Sequence, residues 1–220
     1  MHVYCDFDGT ITREDATDFV LSRLAAPEWE TIEAEWKAGR IGSAECMRRQ
    51  IPLIEADRAT LNATLDAIPV DPYFAEFVGF CEDAGMEVKV VSDGVDYFIH
   101  RILARMGLSH LPVLANHLVM TGKGGYQLSS PYALAGCQSA SGVCKCALVD
   151  TGREPRVYVG DGRSDFCVSE KPEIVFAKAS LATYCAHNAI PFIAYEDFSD
   201  VQMALGRLLP VAAARMAQFA

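Results

Sequence analysis

No apolar run in this sequence approaches the roughly 18 residues that a membrane-spanning helix requires. The first residues show neither the basic start nor the apolar stretch of a secretory leader. Both absences set the expectation of a cytoplasmic chain without a membrane partner. Cationic charge is scarce as well. The 19 Lys and Arg stand against 29 Asp and Glu, a formal net charge of −10, which argues against the clustered basic surface that nucleic acids demand. There is no internal repeat, low-complexity tract or linker. The five histidines (His2, His100, His110, His117, His187) have no ligand-like spacing. Eight cysteines are present, but in a chain of this size without a leader they read as reduced thiols, not as a disulfide framework. Cys137, Cys144 and Cys146 cluster in "CQSASGVCKC" without the paired C-x2–4-C spacing of a structural zinc site.

What is present is enough for one packed domain with a smaller attachment. The 220 residues are 51% hydrophobic and 22% charged, ordinary values for a globular protein. "HVYCDF" reads as a first strand. From Thr12 to Ile68 the pattern changes to apolar residues three and four apart, in "DATDFVLSRLAA", "PEWETIEAEWKAG", "SAECMRRQIPLI" and "ADRATLNATLDAI", which predicts helices. Pro27 suits a first helical position and Ser43 a cap, while Gly39 and Gly42 break the run. "DPYFAEFVGFCEDAG" then predicts a helix, "MEVKVVSDG" a second strand and "VDYFIHRILARMG" another helix. "HLPVLANHLVMTGKGGYQLSSPY" reads as irregular, and a helix is expected near Lys145. "PRVYVGDG", "EIVFAKA" and "PFIAYED" predict three more strands before a C-terminal helix. Strands alternating with helices imply an α/β fold, a Rossmann-like parallel sheet. Residues 1–11 and 72–220 form the expected core, and residues 12–71 a small helical cap inserted after the first strand.

In such sheets ligands bind at the carboxyl ends of the strands, and three of these strands end alike. The first ends in "DFDGT". Because side chains alternate along a strand, Phe7 can enter the core while Asp6 and Asp8 face the crevice. The second ends in "VVSDG", presenting Ser92 and Asp93, and the third in "GDGRSD", presenting Asp161 and Asp165. Each alone has a bland explanation. Asp-x-Asp and Ser-Asp-Gly are common turns. "GDGRSD" lacks the later Glu of a calcium loop and the third Gly of a dinucleotide loop. Together they bring four or five carboxylates to one sheet edge, where they cannot all stay ionised without a cation. Oxygen-only donors favour a hard ion, with magnesium foremost.

"DFDGT", "VVSDG", a lone Lys ahead of the third strand, and "GDGRSD" resemble the four motifs of the haloacid dehalogenase (HAD) superfamily phosphatases. The helical insertion is similar to the cap of the phosphoserine-phosphatase-like subclass. Within it, "CDFDGTIT", "SDGVDYFI", "VLAN" and "VCK" look closest to methionine-salvage enol-phosphate phosphatases. The texture of phosphoethanolamine/phosphocholine phosphatases is shared too. The resemblance implies a magnesium-dependent phosphatase acting on a small phosphomonoester. Asp6 would be the nucleophile, forming an aspartyl-phosphate, and Asp8 the general acid and base. Ser92, with backbone N–H groups around Asp93 and Gly94, would hold the phosphoryl oxygens, and Lys145 would offset charge on them and on Asp6. Mg²⁺ would be held by Asp6, the Asp8 carbonyl and Asp161, with Asp165 in support. Cation and lysine would also answer the repulsion that an acidic chain presents to a phosphorylated substrate.

The cap would supply specificity. Asp15 stands where serine-specific relatives look to have a Glu, and Asp93 replaces a common Gly; both departures weaken the case for phosphoserine. Arg48 and Arg49, on a cap helix, are candidates for reading a substrate anion. A phosphotransferase would use the same catalytic residues. A dehalogenase has no use for Asp8, nor has a non-catalytic phosphate-binding regulator. A core of this class buries its own sheet, so monomer and homodimer are both compatible with the sequence.

Overall fold

The computed structural model describes residues 1–122, 124–137, 139–149 and 154–217, with side chains to residue 209. Its centre is a seven-stranded sheet made of β1 (His2–Cys5), β2 (Glu87–Val95), β3 (Val113–Met120), β4 (Tyr126–Ser129), β5 (Arg156–Gly160), β6 (Ile174–Ala177) and β7 (Ile193–Ala194). The order is β4-β3-β2-β1-β5-β6-β7. Every pairing is parallel except β3 with β4. Val3 lies in register with Val88 on one side and Val157 on the other. The chain therefore builds outward from β1 in one direction, returns, and builds outward in the other. The crevice at that reversal is where a parallel sheet binds its ligand. The three strands ending in carboxylates are β2, β1 and β5, direct neighbours, so the convergence expected from the sequence follows from strand order.

β1 and β5 are buried almost throughout, as strands covered on both faces must be. Val3, Cys5 and Phe7 pack on one face with Phe74, Phe77 and Phe198, whose rings meet at 4.7 and 5.1 Å. Tyr4 and Tyr158 pack on the other face with Val143, Val149 and Val168. Burying Phe7 completely contributes roughly 2–3 kcal/mol, and the same alternation sends Asp6 to the opposite side.

Between β1 and β2 lie α1 (Ala16–Leu24), α2 (Trp29–Lys37), α3 (Ser43–Gln50) and α4 (Arg58–Asp66), followed by α5 (Phe74–Asp83). The chain leaves and re-enters the sheet region through one neck. Thr12 bridges Val70, the Arg13 N–H donates to Pro69 O at 3.0 Å, and that of Asp71 donates to Ile11 O at 2.8 Å. α4 is fastened to α6 (Asp96–Arg105): Arg101 grips the Asp66 carboxylate at 2.6 and 2.8 Å, and Arg105 donates to the Asp66 and Ile68 carbonyls. After β4 come α7 (Lys145–Val149), α8 (Ala179–His187) and α9 (Phe198–Ala217).

Several local expectations are corrected. The stretch read as irregular is the β3–β4 hairpin, closed by Thr121 N–H to Gly125 O at 2.8 Å. It sits at the sheet edge, so one face is wet and the apolar alternation fades; its register comes from β2 and from Tyr126, whose hydroxyl donates to Ala56 O. The "SLATYCAH" stretch, unassigned from sequence, is α8, anchored by Leu181 and Cys185 four residues apart. Pro27 precedes α2 instead of opening it, since α2 starts at Trp29 after Glu28. Ser43 is the first residue of α3, not its cap; the cap is Gly42, and the Ser43 hydroxyl is used elsewhere.

Candidate active site

The floor of the crevice is an ion network in which every member is buried. Asp6, just past the end of β1, receives the Phe7 N–H and the Lys145 ammonium on Oδ1, both at 2.7 Å. Its Oδ2 has no partner among the described residues and faces the crevice, which Asp6 lines. Lys145, the first residue of α7, is 1% exposed. Its Nζ also donates to Asp165 Oδ1 at 2.6 Å and Ser164 Oγ at 3.0 Å. Burial works against the ammonium, but the charges of Asp165 and Asp6 overcome it and hold the pKa above the ordinary lysine value. An ammonium between two carboxylates keeps its charge at any working pH, so Lys145 serves as a fixed cation. Burial and the Asp165 charge push the Asp6 carboxyl well up, against the pull of Lys145.

Asp8 stands at the next turn. Its Oδ1 accepts the Ala16 N–H at 2.7 Å, the first N–H of α1, and its Oδ2 lies 3.4 Å from Ser92 Oγ. Burial and the nearby Asp15 raise its pKa well above the usual carboxyl range, so the group is suited to holding and releasing a proton. Ser92 Oγ accepts the Gly94 N–H at 2.9 Å. That N–H was expected to face the phosphate; here it orients the serine hydroxyl. A Cβ on Gly94 would lie 2.6 Å from Asp8 Oδ2, so only glycine allows this approach. Gly9 turns the chain at φ +73°, and a side chain there would collide with Asp161.

Asp161 ends β5 and accepts from Thr10 Oγ1 at 2.8 Å. Burial and the Asp165 charge push its carboxyl up to about 6. Asp165 is saturated: Oδ1 takes Lys145 and the Tyr158 hydroxyl (2.5 Å), and Oδ2 takes the Asp161 and Gly162 N–H groups at 3.0 Å each. Burial opposes its ionisation, but Lys145 and these donors outweigh it and lower the pKa. One oxygen each from Asp6, Asp161 and Asp165 falls within 4.8 Å of the others. Three carboxylates so close, two of them displaced toward the neutral form, are a donor set that fits a hard divalent cation. Since both Asp165 oxygens already accept hydrogen bonds, Asp6 and Asp161 are the two better placed to give direct ligands.

Above this floor the insertion closes a crevice of about 860 Å³, a size suited to a small metabolite. Asp15 lies in its wall, but its Oδ1 caps α1 by accepting the Asp18 N–H at 2.9 Å. Asp93 lines the crevice with its carboxylate turned to Ser43, Asn116 and Val143. Arg48 and Arg49 are not in the wall. Arg48 pairs with Glu45 at the surface, and Arg49 with Glu35 at 2.6 Å; helical spacing alone does not tell which face a pair takes. The wall holds residues that sequence reasoning missed: Asp18, Glu33, Trp36, Arg40 and Gln50 from the insertion, and Arg163 beside Asp161. Thr10, within "DFDGT", could have been suspected from its place in a strand-end motif, whereas Tyr158, inside β5, carried no such signal.

All eight cysteines are free thiols, and among the described residues no helix is long and apolar enough to cross a membrane.

Comparison with known proteins agrees with this geometry. The chain is 27% identical over 205 residues to a 2-hydroxy-3-keto-5-methylthiopentenyl-1-phosphate phosphatase of Brevibacillus brevis, covering 90% of this chain and 92% of that protein. It is 28% identical over 212 residues to the enzyme of the same name from Geobacillus kaustophilus, covering 94% and 96%. A substrate-bound phosphoserine phosphatase superposes with a TM-score of 0.69 at 19% identity, covering 92% of this chain and 97% of that one. A phospho-aspartyl intermediate analogue of phosphoserine phosphatase gives 0.68 at 20% identity over the same shares. The fold is therefore the HAD fold. Residues 1–179 match the profile of the Putative Phosphatase family, and the chain belongs to that family as a phosphatase of the HAD type.

Proposed function

We propose that the chain hydrolyses a small phosphomonoester through an aspartyl-phosphate on Asp6, and that its substrate is an enol phosphate of the kind named for its Brevibacillus and Geobacillus relatives. The observation that carries the mechanism is Asp6 itself. One oxygen is pinned by the Phe7 N–H and Lys145, the other faces the crevice, and Asp8 and Ser92, 3.4 Å from each other, line that same crevice. Asp6 Oδ2 attacks phosphorus, and the phosphorus–oxygen bond to the leaving group breaks as Asp8 gives that oxygen a proton. Asp8, now a carboxylate, takes a proton from the water that attacks the same phosphorus, releasing phosphate and restoring Asp6. Lys145 and the Ser92 hydroxyl meet the charge spread over the phosphoryl oxygens. Asp165 keeps Lys145 charged and in place. Asp6, Asp161 and the Asp8 carbonyl, with Asp165 behind them, would hold Mg²⁺, which when bound would supply further charge neutralisation at the phosphoryl group.

Residues 12–71 act in this reading as the cap that closes over substrate and excludes bulk water. The free thiols accord with a reducing compartment, and we place the enzyme in the cytoplasm. Phosphate release from a panel of small phosphomonoesters, including an enol phosphate, phosphoserine and phosphocholine, tests both parts. Wild type with Mg²⁺ is expected to turn over the enol phosphate best, and chelator or Asp6→Asn to abolish release. Release that survives in Asp6→Asn would overturn the mechanism. Preference for an amino-alcohol phosphate would overturn the substrate.

A further inference from the structure

Asp93 has an unusual set of partners for a residue beside the phosphate-binding serine. Its Oδ2 accepts the Ser43 hydroxyl at 2.5 Å, from the first turn of α3. Its Oδ1 accepts the Val143 N–H at 3.0 Å, two residues before Lys145, and lies 3.3 Å from Asn116 Nδ2. That same amide nitrogen clamps the backbone, donating to Asp93 O at 2.6 Å and Gly94 O at 3.3 Å. Asn116, on β3, is 1% exposed, so it is a fixed post. One carboxylate thus joins three segments distant in sequence: the insertion, the β2 end that carries Ser92 and Gly94, and the turn that delivers Lys145. A second contact follows the same seam. The Ala44 N–H donates to Ala140 O at 3.2 Å, and a Cβ on Gly42 would sit 2.6 Å from Ala140. Ala140 itself is held at φ +45°, a conformation that costs an alanine free energy and persists only where neighbours enforce it.

We propose that Asp93 is a positioning residue that couples the seating of α3 on the core to the alignment of Ser92, Gly94 and Lys145. The inference rests on the phosphatase reading above and goes beyond it, because neither Asp93 oxygen is left for substrate. With α3 seated, the carboxylate is satisfied from both sides and holds the β2 end against the Val143 turn. When α3 lifts, Oδ2 loses its donor, and the restraint on the segment two residues from Lys145 loosens. The phosphate-binding groups are in register only under a seated cap, which discourages attack by water on an open site. Ser43 and Asn116 are parts of the same device.

The test is a mutant cycle with two readouts. Steady-state kinetics on Ser43→Ala, Asp93→Ala and their double variant should show non-additivity, as expected for groups in one hydrogen-bond network. Loss of a hydrogen bond to a charged group predicts a kcat about tenfold lower in Ser43→Ala and lower still in Asp93→Ala. The double variant should then match Asp93→Ala. Asp93→Asn, which keeps an acceptor for Val143, should recover most of kcat. Single effects that multiply in the double variant, or a wild-type kcat in Asp93→Ala, would overturn the proposal. Amide hydrogen exchange needs no turnover: Ser43→Ala should speed exchange at residues 143–149 as well as 44–50. Unchanged exchange at 143–149 would refute the coupling. If wild type turned over no phosphomonoester, the phosphatase reading would fall and the exchange result would still decide for or against the coupling.

Discussion

The floor and the roof of the crevice are built by different rules. On the floor, Asp6, Lys145, Asp165 and Tyr158 are all within a few per cent of full burial, and the three charged groups are each held by at least two partners. In the roof, Asp18, Lys37 and Arg40 are exposed. Its ion pairs reach solvent on one side at least, as in Lys37 with the buried Glu33 at 3.3 Å, where the ammonium is exposed, and a solvated partner weakens such a pair. In the proposed reading the floor handles a phosphoryl group and has one task, which accords with its over-determined geometry. In the same reading the roof faces whatever the phosphate is attached to, and a looser polar wall could change without disturbing the chemistry.

That contrast ranks the expected effects of substitution. Asp6→Asn should be the most damaging, lowering kcat by about 10⁴-fold or more, as loss of a nucleophile does elsewhere; a single-turnover assay checks it. Lys145→Ala leaves Asp165 as a buried unpaired charge, and denaturant titration should show a loss of about 3–5 kcal/mol together with loss of turnover. A stable, active Lys145→Ala would break the comparison outright.

Acidity gives the third prediction. The Asp161 carboxyl, pushed up to about 6 by burial and Asp165, holds a proton below that pH which a cation must displace. Divalent-cation affinity, followed by calorimetry, should fall by at least about tenfold per pH unit below about 6, because Asp6, the second ligand, is displaced upward as well. The sign for stability is opposite. Its folded value lies above the ordinary 3.8, so without cation this group favours folding more as pH falls from about 6 toward 4. Asp6 and Asp8 are displaced the same way, and thermal melts with and without Mg²⁺ across that window should diverge as pH rises.

Roof substitutions come last. Asp15→Ala removes a helix cap, for about 1 kcal/mol, and is expected to shift KM between substrates more than kcat. Arg48→Ala and Arg49→Ala should leave kcat/KM within about twofold, since one pair is exposed, the other half-buried, and both lie away from the wall. A larger loss would mean that the roof reaches further into recognition than its geometry shows.

The same contrast explains what could be read from sequence. The floor was legible because strand ends are punctuated by local motifs, and because neighbouring parallel strands must deliver those motifs to one edge. Asp6, Asp8, Ser92 and Asp161 lie where that logic puts them, and Lys145 reaches Asp6 from α7. The partners that hold them were not legible: Tyr158 to Asp165, Asn116 to Asp93 and Ser43 to Asp93 are contacts between segments 7 to 50 residues apart. In the roof, helical periodicity announced α1 to α4 but not which face of each would line the crevice. Asp18 and Glu33 turn toward it, whereas Arg48 and Arg49 turn away, a matter of tertiary packing. The β3–β4 hairpin was hidden for a related reason, since an edge strand takes its register from its neighbours.

The most direct test of the central claim is to trap the intermediate. Acid quenching during turnover, borohydride reduction of any acyl phosphate to the alcohol, and peptide mapping by mass spectrometry would locate the phosphorylated residue. Conversion of residue 6 from aspartate to homoserine, absent without substrate, is the predicted result. An unmodified Asp6 during steady turnover, or conversion at another carboxylate, would contradict the account.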